Sequence, residues 1–68
     1  MTHTAQRIKT LRKQAGLSQQ ELADKIGVLR ETISNWERSN QTLSIDNAKK
    51  LSQFFQVSID YLLENQYR

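Results

Sequence analysis

The segment from Gln19 to Arg38, QQELADKIGVLRETISNWER, constrains the fold of this chain more than any other feature. Leu22, Ala23 and Ile26 recur at helical spacing, and Gly27 then interrupts the run, which indicates a helix that ends in a turn. Ala23 is small enough to let a second helix approach closely. Glycine permits a positive φ at the turn without a steric penalty. The segment therefore predicts one short helix followed by a tight turn.

A second helix is predicted directly after that turn, from about Arg30 to Arg38. Its inward stripe consists of Ile33, Trp36 and Glu37, and Val28 fills the corner between the two helices. Trp36 could also stack on a base, but its inward phase favours a place in the core. Two helices joined at a tight corner are typical of the DNA-binding helix-turn-helix motif.

Periodicity and end signals predict three further helices around this pair. The first runs from about Thr4 to Ala15, with an inner face of Ile8, Leu11, Arg12 and Ala15. Ser18 and Glu21 form an S-x-x-E capping box at the start of the second helix. Ser44 caps a fourth helix with an inner face of Ile45, Ala48, Leu51 and Phe55, and Ser58 caps a fifth that carries Ile59, Leu62 and Leu63. We therefore expect one all-α, five-helix domain over residues 1–68.

Composition narrows the classes of function that such a domain can have. The chain has 68 residues, no cysteine and one histidine, His3, so it offers no thiolate metal site and no internal histidine as a catalytic base. No apolar run approaches the roughly 18 residues of a membrane-spanning helix. We expect a soluble, cytoplasmic protein that is not an enzyme and uses no cofactor or metal.

The net charge of +3 is unevenly distributed along the chain. The first 41 residues carry seven basic and four acidic side chains, whereas the remaining residues carry three of each. Positive charge therefore accompanies the two helices at the turn, as expected of a surface that meets phosphates.

The outward face of the third helix carries side chains that can read bases. Angular counting at about 100 degrees per residue places Arg30 at the exposed N-terminal end and four residues opposite the inward stripe: Glu31, Ser34, Asn35 and Arg38. Arginine can pair with guanine, asparagine with adenine, and serine with several bases. Glu31 has three interpretations: it reads cytosine, it orients Arg30, or it faces water.

Phosphate contacts are predicted on both sides of this face. Gln19 lies in the first turn of the second helix, where its amide can hold a phosphate, although glutamine is also simply a good helix former. Arg38 ends the third helix, and Asn40 and Gln41 follow it; all three are assigned to the phosphate backbone as well.

Two charged residues interrupt apolar stripes: Arg12 in the first helix and Glu37 in the third. Each would be costly to bury alone, and their signs are opposite. We therefore expect one partly buried ion pair that fixes the angle of the third helix.

The sequence resembles the Cro and phage-repressor helix-turn-helix family, also called the xenobiotic-response-element family. The resemblance is carried by RIKTLRKQAGLSQQELADKIGV, ISNWER and VSIDYLL, and it covers nearly the whole chain. It implies a lambda-repressor-like five-helix domain that binds operator DNA in the major groove. By position it implies that Gln19 contacts phosphate and that Arg12 and Glu37 form an interhelical ion pair. It also implies that four residues of the third helix face bases: Arg30, Glu31, Ser34 and Asn35. Leu29, Ser39 and Leu43 depart from the family pattern, which often has a capping serine or threonine, a glycine and a proline there.

Two functions from different classes follow. The first is a sequence-specific transcriptional regulator, a repressor that binds a pseudo-palindromic operator as a homodimer on double-stranded DNA. The second is an antitoxin or other protein-interaction module whose DNA binding is secondary. Candidates for the dimer surface are Tyr61, Leu62, Leu63 and Tyr67, with core packing as the alternative for Leu62 and Leu63.

Overall fold

The computed structural model describes residues 3–38 and 43–63 of the chain. Five helices follow one another in these two ranges: α1 His3–Gln14, α2 Gln19–Ile26, α3 Arg30–Arg38, α4 Ile45–Phe55 and α5 Ile59–Leu63. The described residues contain no strand. This is the all-α, five-helix architecture that the sequence predicts, with α2 and α3 on either side of the turn.

All five helices share one core, because none exceeds 12 residues and helices this short are marginal in isolation. The buried apolar side chains of this core are Ile8, Leu22, Ala23, Ile33, Leu43, Ala48, Leu51, Leu62 and Leu63. Trp36 is half-buried and packs against the same cluster, as its phase predicts. Within the described ranges, no helix is long and apolar enough to cross a membrane.

Three helices begin at the serine caps that the sequence predicts. The Ser18 hydroxyl accepts the Glu21 amide at 3.0 Å, and the Glu21 carboxylate accepts the Ser18 amide at 2.8 Å, which completes the capping box. The second of these bonds lowers the pKa of Glu21. Ser44 and Ser58 each accept the amide three residues ahead, at 3.2 and 3.0 Å. These bonds satisfy amides that a helix start otherwise leaves unpaired.

Three helices also end in one shared way. A residue with left-handed backbone follows each of α1, α2 and α4, and the next residue is apolar: the pairs are Gly16–Leu17, Gly27–Val28 and Gln56–Val57. Each apolar residue donates its amide to the carbonyl five residues back, at 3.0 to 3.2 Å, as in a Schellman end. Each also packs against the core. The helix ends therefore direct the chain back into the domain.

Two residues predicted on inner faces lie elsewhere. Ala15 is exposed because α1 ends at Gln14 and the chain already turns there. Ile45 is 48% exposed, because Leu43 fills the corresponding place in the core before α4 begins. Leu43 and Ala48 flank the Ser44 cap at the two positions of a hydrophobic staple, and both are buried.

The orientation of α3 is fixed by Arg12 and Glu37, which are only 9% and 8% exposed. The Arg12 guanidinium donates from Nε to Glu37 Oε2 at 2.7 Å and from Nη2 to Oε1 at 3.0 Å. Its Nη1 donates to the Leu17 carbonyl at 2.8 Å. The bond to Glu37 raises the pKa of Arg12 above its ordinary value, so the guanidinium stays charged. One side chain therefore holds α1, the turn after it and α3.

We predict opposite effects of two substitutions at the left-handed helix ends. Gly27 has a φ of 76°, and a Cβ added there would meet nothing within 4 Å, so Gly27→Ala adds backbone strain alone. We expect it to lower the free energy of unfolding by about 1 kcal/mol. Gln56, with a φ of 57°, already bears that strain. Gln56→Gly should raise the free energy of unfolding by about 0.5 kcal/mol, because part of the gain is offset by unfolded-state entropy.

Urea unfolding of both variants beside the parent tests this pair. Shifts of the same sign in Gly27→Ala and Gln56→Gly would contradict the account of the helix ends.

The ion pair predicts a non-additive double-mutant cycle. Arg12→Ala or Glu37→Ala alone should cost about 3–5 kcal/mol, because each leaves the other charge buried without its partner. The double variant should cost less than the two single variants together. Lys13→Ala, at an exposed neighbouring charge, is the matched control and should have little effect. Strict additivity in urea unfolding would show that the two side chains are not coupled.

Candidate nucleic-acid interface

The third helix, α3, divides into a buried face and an exposed face. Ile33 is fully buried and Glu37 nearly so, whereas Arg30, Glu31 and Asn35 are exposed. Ser34, also predicted to face bases, is half-buried and lies at the margin of the exposed face. The outward direction predicted for α3 therefore agrees with the structure, most clearly at the other three positions.

Asn35 is oriented by a neighbour one turn further along α3. Arg38 Nη2 donates to Asn35 Oδ1 at 3.1 Å. A guanidinium has donors only, so the bond selects the orientation of the amide and leaves the Nδ2 donors directed away from Arg38. The (i, i+3) spacing of these two residues is readable in the sequence, although the phosphate role predicted for Arg38 does not include this bond.

Arg30 and Glu31 begin α3 at the end that a recognition helix brings to base edges. Among the described residues, no ion pair or hydrogen bond joins these two side chains. The structure therefore gives no support to the interpretation in which Glu31 orients Arg30. Cytosine readout and simple solvation are the two interpretations that stay open for Glu31.

Gln19 is attached to the buried ion pair. Its Nε2 donates to Glu37 Oε1 at 3.2 Å, so one carboxylate oxygen serves both Arg12 and Gln19. The capping box uses the amides of Ser18 and Glu21, and within the described residues the amides of Gln19 and Gln20 have no acceptor. The first turn of α2 therefore presents two amide donors beside a glutamine that α3 holds in place. Nothing in the sequence spacing indicated the bond between Gln19 and Glu37.

The remaining predicted contacts divide between core, surface and undescribed positions. Leu62 is fully buried and Leu63 is 7% exposed, so both belong to the core and offer no area to a second copy. Tyr61 is 44% exposed, with the Arg7 guanidinium 4.7 Å from its ring centroid. Asn40, Gln41 and Tyr67 lie outside the described residues.

The junction of α1 and α5 is held by hydrogen bonds to carbonyls of α5. The Thr4 hydroxyl donates to the Leu62 carbonyl at 2.7 Å, and Arg7 Nη1 donates to the Tyr61 carbonyl at 2.8 Å. These bonds satisfy carbonyls that a short terminal helix leaves without internal partners. Tyr61 is therefore an exposed aromatic residue on a fixed backbone.

Comparison with known proteins agrees with this geometry. The model of the helix-turn-helix family matches residues 8–62. The HTH-type transcriptional regulator ImmR of Bacillus subtilis is 40% identical over 57 residues, which cover 84% of this chain and 45% of that protein. The HTH-type transcriptional regulator SinR of the same organism is 43% identical over 63 residues, covering 91% of this chain and 57% of SinR.

A relative that is named as an antitoxin is also similar to this chain. The antitoxin HipB of Escherichia coli is 38% identical over 58 residues, which cover 85% of this chain and 62% of HipB. The chain thus spans about half the length of the curated relatives it matches. No solved structure matches it. From the family match over residues 8–62 and these relatives, we conclude that the chain belongs to the helix-turn-helix family.

Proposed function

We propose that this chain is a sequence-specific DNA-binding transcriptional regulator that places α3 in the major groove. One observation carries the proposal: α3 has an exposed face of base-reading side chains, while its opposite face is fixed to α1 and α2 through Glu37. A helix whose orientation is fixed and whose exposed face is polar is suited to reading base edges. Two of the relatives are named as transcriptional regulators, which supports the same function.

In this proposal the exposed residues of α3 divide the readout among them. Arg30 donates to guanine, and Asn35 pairs with adenine through Nδ2 and the second lone pair of Oδ1. Ser34 contributes a contact at the margin of the face, and Glu31 accepts from cytosine if it reads a base. The bond from Arg38 holds the Asn35 amide in one orientation before DNA arrives, which reduces the entropy lost on binding.

Phosphate contacts fix the register of α3 in the groove. The amides of Gln19 and Gln20 face one phosphate at the start of α2, where the helix dipole also favours an anion. Arg38 is close enough in sequence to Asn40 and Gln41 to follow the backbone with them. The positive charge of the first 41 residues supplies the long-range attraction.

We further propose that two copies bind one pseudo-palindromic operator. A single recognition helix reads only a few base pairs, so selection of one genomic site calls for a second helix about 34 Å away. Tyr61 is the described residue that offers an exposed aromatic surface near the end of the domain, and Tyr67 extends the candidate surface. Repression follows by occlusion, because a bound dimer covers promoter DNA.

A second candidate function is that of an antitoxin whose helical surface binds a protein partner. The similarity to HipB favours it, since that relative is named an antitoxin. Purification of the chain from its cells separates the two functions. A tight protein partner that co-purifies with the chain favours the antitoxin, whereas a chain that purifies alone and selects one operator sequence from a random DNA pool favours the regulator.

The first binding prediction separates base readout from phosphate contact. Asn35→Ala should weaken binding to the selected operator by about 1–3 kcal/mol and relax specificity at one base pair, because the hydrogen bonds from the Asn35 amide to that base are lost. Arg30→Ala should do the same at another base pair. Lys49→Ala, an exposed charge on α4, is the control and should leave specificity unchanged.

Arg38→Ala tests the two roles of that residue in the same assay. If Arg38 contacts phosphate, the slope of log affinity against log salt should fall by about one. If it also orients Asn35, specificity should relax at the base pair that Asn35 reads. Parental affinity in both Arg30→Ala and Asn35→Ala would contradict the assignment of α3 as the reading helix.

The second binding prediction concerns stoichiometry. Sedimentation with the selected operator should show two protomers per site, and Tyr61→Ser should weaken binding of the second protomer more than that of the first. Tyr61→Phe keeps the ring beside Arg7 and serves as the control. One protomer on an asymmetric site would contradict the dimer and leave DNA binding intact.

A further inference from the structure

Leu29 is the most exposed of the large hydrophobic residues in the described part of the chain. It is 72% exposed, against 48% for Ile45 and 44% for Tyr61. Its neighbour Val28 packs against the core, but Leu29 does not belong to that cluster. An isolated exposed leucine is ordinary on a protein surface, so exposure alone explains nothing here. Its position in the chain is what distinguishes it.

Leu29 occupies the N-cap position of α3 with a side chain that cannot cap. Its carbonyl accepts the Thr32 amide at 2.9 Å and the Ile33 amide at 3.4 Å, so its backbone begins the helix. A serine, threonine, aspartate or asparagine here would also bond an unpaired amide of the first turn, as Ser18 does in α2. Leucine contributes neither a cap nor core packing. Leucine therefore lowers the stability of the helix start, and its exposed side chain is available for a contact outside the domain.

The proposed interface indicates what that contact is. Leu29 directly precedes Arg30, at the end of α3 that enters the groove. Among base edges in the major groove, the thymine 5-methyl group is the apolar one, and side chains recognise it by apolar contact. We propose that Leu29 is a specificity-determining residue that packs against the methyl group of a thymine. This inference rests on the proposed function, because it assumes that α3 reads DNA.

The test removes the methyl group from the DNA and, separately, replaces the leucine side chain in the protein. Each thymine of the selected operator is replaced in turn by uracil, which keeps every hydrogen bond. For the parent we expect about a fourfold loss of affinity at one thymine in each half-site, since one methyl group is then left without its apolar contact. Leu29→Ser should bind the thymine and uracil operators equally well at that position.

Two further measurements separate this role from a structural one. Leu29→Ser should melt at a higher temperature than the parent, because serine can cap α3. Reduced discrimination therefore cannot be attributed to unfolding. Ile45→Ser removes another exposed apolar side chain, at the first residue of α4, and it should keep the parental response to uracil.

Several outcomes would overturn the inference. A parent indifferent to uracil at every position, or a selected half-site without thymine, excludes methyl recognition while DNA binding stands. If Leu29→Ser keeps the fourfold uracil effect, another residue reads the methyl group. If Leu29→Ser instead dissociates a dimer of the free protein and the uracil effect persists, the leucine packs against a second copy. Failure to select any operator overturns the proposed function together with this inference.

Discussion

The position of α3 depends on one buried carboxylate, that of Glu37. Its two oxygens accept three donors, two from Arg12 of α1 and one from Gln19 at the start of α2. A buried ion pair contributes little net stability, because desolvation offsets most of the attraction. Its geometry is nevertheless demanding, since each displaced partner leaves a buried charge unsatisfied. The pair therefore acts mainly to exclude other angles between the helices, and through Glu37 it joins α3 to both α1 and α2.

A domain this small has few apolar side chains with which to exclude alternative packings. The residues at the helix ends therefore provide part of the information that excludes alternative packings. Each of α1, α2 and α4 ends in a left-handed residue followed by an apolar residue that returns to the core. Serine caps define three of the helix starts. Local chemistry thus sets the length of each helix, and the shared core then has only to select how helices of fixed length pack together.

Much of this fold could be predicted from the sequence, because its signals are local. The Ser18 capping box, the positive φ of Gly27 and the pairing of Arg12 with Glu37 each follow from spacing or from opposite charge. The exposure of Ile45 could not be predicted from the sequence, because it depends on Leu43 filling that place in the core. The left-handed Gln56 carries no sequence signal, because glutamine adopts that conformation only where packing requires it. The bond from Gln19 to Glu37 likewise depends on tertiary placement.

Burial of Glu37 also changes the electrostatics of the proposed interface. The third helix contains two arginines and two glutamates, so its formal charge is zero. Arg12 neutralises Glu37 inside the domain, which leaves Arg30, Glu31 and Arg38 on the exposed side with an excess of one positive charge. That excess is too small to supply strong attraction to DNA on its own. In the proposed function, affinity would then come chiefly from basic residues outside α3, and α3 would supply discrimination between bases. The same ion pair that orients α3 therefore also removes a negative charge that would repel the phosphates of the proposed DNA partner.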